Sequence, residues 1–288
     1  MIRTSVAVIM LLAGSAFAQD APRVPTAVPV EANEDHESML ASDDPQLAAN
    51  KRLVYDFQRA VEANDNEAVA PLLATEYVDH GHAFAILFGL TDMEDRVAAP
   101  LVAIVAERDL VAVVSAVKRE TPRPYTTTAF DLYRIADGKI AEHWDEREGQ
   151  PEINPRYRRP TVNDDPAASL ASADDQLARN KRFVYDMWRT LLDAQQVEEA
   201  PKYLAPGYIQ HNPLADTGLD GFLNFFRRFA QPKPVKEEVA NFVEILAEGD
   251  LVVLATLRPG ETPTTWFDMW RVDDAGLLAE HWDVATLP

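Results

Sequence analysis

A histidine and an aspartate stand two positions apart in the pentapeptide AEHWD, which the chain carries twice. The first occurrence holds His143 and Asp145, and the second holds His281 and Asp283. Side chains two positions apart on a β-strand point to the same face, about 6–7 Å apart along the chain. An imidazole and a carboxylate that are buried together can transfer protons, because desolvation raises the pKa of a carboxyl group towards neutrality. The two pentapeptides are therefore candidate acid–base sites.

A second aspartate is expected beside each of these pairs. The motif FDLYR contains Asp131, its repeat FDMWR contains Asp268, and each motif lies on the strand expected before the last one. A hairpin between the two strands brings this aspartate next to the histidine. The opposite orientation is also compatible with the alternation: Trp144 and Trp282 then face the core, and the histidine and aspartate are ordinary solvated residues. The pattern alone leaves both orientations open.

A loop histidine is another candidate in each half of the chain. In the second half, His211 and Asn212 precede Pro213, which keeps the residue before it out of a helix, so both side chains can turn into a cavity. The first half has His80, followed by Gly81 instead of the Asn-Pro pair. The alternative is that Asn212 only starts a turn while His211 packs on the sheet.

These residue types can also bind metal ions, but their arrangement does not favour a metal site. The chain contains no cysteine and no helical His-x-x-x-His pair, and His-x-Asp spacing on a strand is common by chance. It also lacks a P-loop, a nucleophile elbow and a dinucleotide-binding fingerprint. We therefore predict no metal and no cofactor.

The elements that must position these residues are themselves duplicated. ASDDPQLAANKRLVYDF, starting at Ala41, returns as ASADDQLARNKRFVYDM, starting at Ala171, with twelve of seventeen positions identical. The offset grows from 130 residues at this pair to 138 at the AEHWD pair. Solenoid repeats are much shorter, about 20–50 residues, so this period is that of a whole small domain. Any site should occur at equivalent places in both copies.

Each copy predicts helices first and strands afterwards. A long capped helix starts near Asp44, a short one follows, and a third begins at Thr91-x-x-Glu94, which has the pattern of a capping box. The period then changes to that of an antiparallel meander of about four strands. This is an α+β layout, in which a curved sheet packed on helices forms a cone with an open mouth for one small ligand.

The N-terminus has the three parts of a secretory signal. Arg3 precedes a short apolar run, and Ala16-Phe17-Ala18 is a small-x-small cleavage site. We expect cleavage after Ala18 and a periplasmic or secreted mature protein. The predicted organisation is a signal peptide at 1–18, a disordered leader at 19–41, a first domain at 42–150, a linker at 151–169 and a second domain at 170–288.

The charge of the chain restricts its partners. Its 47 acidic and 27 basic residues give a formal net charge of −20. Such a surface repels nucleic acids and anionic membranes, so we expect neither as a partner once the signal is removed. A small molecule is the partner that remains.

The second copy resembles the SnoaL-like polyketide cyclase group of the NTF2-like superfamily, and the first shares the start and end of the pattern. The matching features are a Y-x-x-HNP loop, a G-x-x-G-x-x-x-F-F helix, an F-D-x-W-R strand and a final E-H-W-D strand. The resemblance implies two tandem cystatin-like cone domains, covering residues 42–150 and 170–288. It also implies that sheets pair through their outer faces, here as an intramolecular pseudo-dimer or in a homodimer.

The same resemblance implies a chemistry. Characterised members of the group close rings by an intramolecular aldol reaction without a cofactor, with an acidic residue near the end of the fold removing a proton alpha to a carbonyl group. The matching base is Asp283, supported by Asp268 and His281, while His211 and Asn212 would orient the substrate oxygen. We expect further substrate contacts from Tyr208, Phe226 and Trp266. The copy-one counterparts are Asp145, His143, Asp131 and His80.

Three functions remain open at the level of the sequence. The first is a cofactor-independent acid–base enzyme of the cyclase, isomerase or dehydratase type, acting on a small hydrophobic carbonyl compound. The second is a non-catalytic periplasmic protein that binds a small ligand. The third is an interaction module whose pockets are vestigial. The fuller set of polar residues in copy two favours the first, because fold alone does not determine function.

Overall fold

The computed structural model describes residues 26–63, 65–81, 100–146, 158–258 and 263–287 of the 288-residue chain. The predicted signal peptide and the helix predicted to begin at Thr91 lie outside these residues. Within the described ranges, no helix is long and apolar enough to cross a membrane.

Copy one contains three helices and five strands in its described part. In chain order they are α1 (His36–Leu40), α2 (Pro45–Glu62), α3 (Asn66–Val69), β1 (Leu73–Asp79), β2 (Leu101–Glu107), β3 (Leu110–Arg119), β4 (Tyr125–Ala136) and β5 (Lys139–Glu146). A 3₁₀ turn joins α3 to β1.

Copy two has a similar order, with a helix after its first strand. In chain order its elements are α4 (Pro166–Leu170), α5 (Asp175–Met187), β6 (Leu204–Gln210), α6 (Leu219–Phe226), β7 (Phe242–Glu248), β8 (Leu251–Arg258), β9 (Thr264–Val272) and β10 (Leu278–Asp283). A π-helical turn (Trp188–Asp193) continues α5, and a 3₁₀ segment (Val197–Lys202) leads into β6.

The long helix of each copy begins at an aspartate cap, as the sequence predicts. The Asp44 carboxylate accepts a hydrogen bond from Gln46 N at 2.7 Å, and Pro45 occupies the first turn. Asp174 caps α5 through Gln176 N at 2.6 Å. These bonds satisfy backbone N–H groups that have no partner inside the helix.

Each sheet has five strands, one more than the meander predicts. The orders are β1-β5-β4-β3-β2 and β6-β10-β9-β8-β7, and the extra strand runs parallel to the last one. The sequence predicts a loop around His80, but Tyr77 to Asp79 belong to β1, and the loop begins only at His80. The prediction of a purely antiparallel sheet is wrong at this edge, because the backbone of this segment pairs with β5.

The last strand does not alternate regularly. A register shift between Leu278 and Glu280 puts Leu278 in the helix-facing core, and His281 stacks on Trp270 of the same core. Trp282 belongs instead to the cluster between the sheets. A bulge adds one residue to a strand and so shifts its side-chain alternation. The histidine and aspartate of the repeated pentapeptide therefore face the interior of their own copy.

The two sheets pack on each other through their outer faces. The cluster between them contains Leu132 and Trp144 of copy one and Met269 and Trp282 of copy two. At its centre the rings of Phe130 and Phe267 stack in parallel, with centroids 5.6 Å apart. Each sheet is thus buried on both faces, by its own helices and by the other copy.

Two lysine–glutamate pairs join the copies reciprocally. Lys51 donates to Glu248 at 2.5 Å, and Lys181 donates to Glu107 at 2.8 Å. The second oxygen of each glutamate accepts a backbone N–H of the opposite sheet, Ala106 for Glu248 and Ala247 for Glu107. The Asn-Lys-Arg triplet of the repeated sequence therefore carries the lysine that holds the pair of domains together.

The leader and the linker make specific backbone contacts in the residues that the structure describes. Val28 N donates to Gln210 O at 2.9 Å, and Arg158 N donates to Asp79 O at 2.6 Å. Each segment then returns to its own copy, where Asn33 N and Asn163 N bond to β2 and β7. We call residues 26–33 and 158–163 the straps, and the structural repeat includes both.

The buried lysine pairs predict a large loss of stability when one partner is removed. Lys181→Met leaves the Glu107 carboxylate buried without a cation, together with the carbonyl groups of Ser169 and Ala171. We expect the free energy of unfolding to fall by about 3 kcal/mol or more in urea denaturation. Adding Glu107→Leu should recover part of it.

The matched control for this prediction is Lys202→Met. Lys202 pairs with Glu199 at the surface, where ion pairs contribute about 0–1 kcal/mol. If Lys181→Met were as mild as Lys202→Met, the lysine pairs would not be holding the two sheets together.

Candidate active site

The polar residues of copy two form a compact cluster on the inner face of its sheet. Side-chain atoms of Asp268, His281 and Asp283 lie within 4.8 Å of one another. His281 Nε2 is 2.9 Å from Asp268 Oδ1, and its Nδ1 is 3.1 Å from Gln210 Oε1. The sequence therefore identified three members of the cluster correctly as neighbours, and it missed Gln210.

Gln210 fixes the proton on one side of the histidine. Its Oε1 also accepts from Asn212 N at 3.0 Å, and its Nε2 donates to the Tyr208 hydroxyl at 3.1 Å, which identifies the oxygen. Nδ1 of His281 therefore donates to Gln210. His281 Nε2, on the other side of the ring, faces the carboxylate of Asp268.

Asp283 is the carboxylate in this cluster that is prepared to accept a proton. Asn212 Nδ2 donates to its Oδ2 at 2.8 Å, while Oδ1 is buried and has no hydrogen-bond partner. Burial raises the pKa of Asp283, His281 and the Asn212 bond lower it, and the charge of Asp268 raises it, with a net pKa of about 6. A carboxylate with a pKa in this range suits general base chemistry near neutral pH.

Aromatic side chains surround the cluster. Tyr208 is fully buried and packs edge-on against Phe222, which in turn contacts Phe226 with centroids 4.4 Å apart. Trp266 lies two residues before Asp268 on β9, with the Arg258 guanidinium 5.1 Å from its ring. The three residues predicted to contact substrate thus lie on the elements that carry or cover the cluster.

The loop histidines lie elsewhere. His211 stacks on Trp282 and bonds through Nε2 to Glu280 at 2.7 Å and through Nδ1 to the strap at Val28 O. His80 makes the same contacts with Trp144, Glu142 and the strap residue Arg158. The structure does not bring either histidine to the aspartate cluster of its copy. Each histidine instead binds the strap of the other copy on the outer side of its own sheet.

The cluster of copy one differs at one decisive position. Where copy two has Gln210, copy one has Asp79, so His143 lies between Asp79 at 3.1 Å and Asp131 at 3.0 Å. Burial lowers the pKa of His143, but the hydrogen bonds and charges of the two aspartates outweigh it and raise the pKa to about 9. Asp145 completes the group, whose described side chains are almost without exposure. Alignment of YVDH with YIQH would have revealed this difference.

Copy one also holds the backbone at the end of the last strand of copy two. Thr128 Oγ1 donates to Asp283 O at 2.5 Å, and Thr127 Oγ1 accepts from Ala285 N at 2.9 Å. The equivalent of Thr128 in copy two, Thr265, has a buried hydroxyl oxygen without a partner among the described residues. The two equivalent threonines therefore differ in the support that they give to the opposite copy.

A buried carboxylate of copy one lies next to the same site. Glu146 Oε2 accepts from Phe267 N at 2.6 Å. Burial raises the pKa of Glu146 well above its ordinary value, and the charges of Asp268 and Asp283 act in the same direction against the Phe267 bond, which lowers it. Glu146 therefore couples electrostatically to the cluster of the other copy.

Comparison with known proteins identifies the domain type. The model of the SnoaL-like domain family matches residues 54–143 and 184–281, together more than half of the chain. No curated protein matches the sequence.

Solved structures with detectable similarity each cover one copy's length of this chain. AclR of Streptomyces galilaeus is 23% identical over 35% of this chain and 75% of its own, with a TM-score of 0.27. A Xanthomonas campestris protein with a cystatin-like fold is 16% identical over 35% and 92%, with a TM-score of 0.29. An M. tuberculosis LEH-like epoxide hydrolase is 19% identical over 35% and 84%, with a TM-score of 0.28.

The raised pKa of His143 predicts a pH-dependent contribution to stability. The imidazolium between Asp79 and Asp131 stabilises the folded chain fully below the unfolded pKa of about 6.5, and this contribution is lost as pH rises through about 9. We expect the difference in unfolding free energy between wild type and His143→Asn to shrink by about 3 kcal/mol between pH 6 and 10. A difference that does not change with pH would contradict this assignment.

The difference between Thr128 and Thr265 predicts unequal effects of matched substitutions at these two positions. Thr128→Val removes the donor to Asp283 O and should lower the free energy of unfolding by about 1–3 kcal/mol, whereas Thr128→Ser should retain it. Thr265→Val removes a buried hydroxyl that has no partner and should be neutral or stabilising. Equal losses in urea denaturation would show that Thr128 is not a specific support.

Proposed function

The chain belongs to the SnoaL-like family, with two tandem domains, and on this premise we propose that it is a cofactor-independent acid–base enzyme. Asp283 of copy two removes a proton alpha to the carbonyl group of a small hydrophobic compound. The observation that carries the proposal is the state of this one side chain. It is held by Asn212 on one oxygen, it presents a buried second oxygen, and its pKa is raised to about 6.

The proton transfer uses the contacts of the cluster directly. Asp283 Oδ1 takes the proton, the electron pair of the broken C–H bond forms the C=C bond of an enolate, and negative charge moves to the carbonyl oxygen. Asn212 keeps Oδ2 in place, so that Oδ1 is the oxygen that reacts. The Asp268–His281 pair lies beside the site, where His281 lowers the pKa of Asp283 and Asp268 raises it. Ring closure, isomerisation or dehydration would follow from where the enolate then reacts.

Copy one serves as the structural partner in this proposal. Its counterpart cluster contains an imidazolium between two aspartates, and the side chains of His143 and Asp131 are 0% and 2% exposed, against 7% and 15% for His281 and Asp268. The buried ion group stabilises copy one, and Thr127 and Thr128 support Asp283 from across the interface.

The compartment and substrate class form part of the same proposal. The three-part N-terminal pattern supports export to the periplasm or the medium after cleavage at Ala18. The aromatic side chains around the cluster support a hydrophobic substrate. They also support the second candidate, a non-catalytic carrier of a small apolar ligand, for which Asp283 would be dispensable.

Deuterium exchange tests the proton abstraction without knowledge of the product. With 2-tetralone as the probe in D₂O, the wild type should incorporate deuterium at the carbon next to the carbonyl, and Asp283→Asn should reduce the rate by about 100-fold or more. The rate should rise with pH through about 6, because the base must be deprotonated. Full exchange in Asp283→Asn would rule out this base.

The matched control is the same substitution in copy one. Asp145→Asn should retain exchange, with folding checked by circular dichroism and urea denaturation. Loss of exchange in a folded Asp145→Asn protein, with exchange retained in Asp283→Asn, would move the reaction to copy one.

A further inference from the structure

One buried hydrogen-bond donor at the site of copy two has no partner. The indole Nε1–H of Trp270 is buried, in a residue that is 1% exposed, and no atom of the described residues accepts its hydrogen. A buried donor without a partner costs about 1–3 kcal/mol, and such groups are rare in native proteins. Its persistence beside the candidate site therefore needs an explanation.

Trp270 borders the cluster directly. Its strand position pairs with His281, and the two rings stack with centroids 3.8 Å apart and planes 22° apart. It lies two residues from Asp268, and so on the same face of β9. The indole therefore lines the group of residues that contains Asp283.

The equivalent position in copy one has a different hydrogen-bond arrangement. The equivalent residue in copy one is Tyr133, whose hydroxyl accepts from Gln58 Nε2 at 3.2 Å. The same Gln58 nitrogen lies 3.4 Å from Asp131 Oδ2, so the end of this side chain approaches the carboxylate cluster. Copy two has Trp188 in place of Gln58, and its own N–H is directed to Asp268 Oδ2 at 3.4 Å. Copy two therefore has no glutamine at this position, whose amide oxygen could accept the indole hydrogen of Trp270.

Among the described residues, the site thus has two buried polar atoms without a hydrogen-bond partner, one a donor and one an acceptor. Trp270 offers a hydrogen and Asp283 Oδ1 offers a proton acceptor. Asn212, expected to orient the substrate oxygen, already donates one amide hydrogen to Asp283 and accepts from Leu214 N. Trp270 offers a buried donor that no described residue accepts.

We propose that the indole N–H of Trp270 binds the carbonyl oxygen of the substrate and stabilises the charge that develops there. This inference rests on the proposed function and adds to it the residue that recognises the oxygen. A ligand must then carry an oxygen acceptor next to the carbon that loses its proton, and a hydrocarbon of the same shape would leave the N–H unfilled. A donor placed where charge develops lowers the barrier of such a step.

The substitution Trp270→Phe tests this role because it keeps an aromatic ring against His281 and removes the N–H together with part of the indole. Exchange of 2-tetralone should fall about 100-fold. The lost ring volume leaves a cavity, but the loss of an unpaired donor offsets part of its cost, so the urea midpoint should fall less than in Trp188→Phe. Trp188→Phe is the contrasting variant: its N–H already has a partner, so its urea midpoint should fall. Wild-type exchange in Trp270→Phe would overturn the proposal.

A second readout does not depend on turnover. The chain has five tryptophans, and Trp270→Phe assigns the Trp270 indole peak in ¹H–¹⁵N spectra. That peak should move downfield on addition of 2-tetralone but not of tetralin, which has the same rings without the oxygen. An unmoved peak with 2-tetralone overturns this inference even if Asp283→Asn abolishes exchange. A shifted peak together with full exchange in Asp283→Asn would instead refute the base and leave the oxygen contact intact.

Discussion

Both faces of the last strand in each copy are buried, so a carboxylate on that strand cannot stay charged without partners. Burial of an unpaired charge is far more costly than the stability of a whole domain allows. On the outer side the requirement is met completely: Glu280 binds His211 and Arg271, and Glu142 binds His80 and Arg134. On the inner side of copy two it is met only in part. One oxygen of Asp283 accepts a hydrogen bond and the other accepts none from the described residues. The proposed proton transfer depends on this second oxygen.

The duplication supplies stabilising contacts that offset the cost of this incompletely paired carboxylate. Two sheets that bury each other's outer faces supply the core that a chain without disulfides needs, and the reciprocal lysine–glutamate pairs fix their relative position. Copy one provides supporting contacts, with Thr128 on the Asp283 carbonyl and an imidazolium enclosed by its own aspartates. Copy two has Gln210 where copy one has Asp79, so His281 contacts one carboxylate and one amide. The two halves have diverged in charge while keeping one fold.

The sequence predicted the features that depend on local pattern. The repeat, the α+β layout, the cap at Asp44 and the closeness of Asp268, His281 and Asp283 follow from period, capping and spacing. The orientation of the last strand did not, because a single bulge changes the alternation. The straps were missed because their partners lie far away in the chain, for example Gln210 for Val28 and Asp79 for Arg158, and nothing local in either strap indicates them. Lys51 and Lys181 stood in the most repeated segment, yet nothing local shows that their partners are on the opposite copy.

The measurement that bears most directly on the central claim is native mass spectrometry of the wild type and Asp283→Asn, each purified gently from the same host. If Asp283 is the base of an enzyme, the variant should retain a compound that the wild type lacks or carries in converted form. The same compound on both proteins would mean that the site binds a ligand without reacting with it. An empty variant and an empty wild type would contradict a ligand site in copy two.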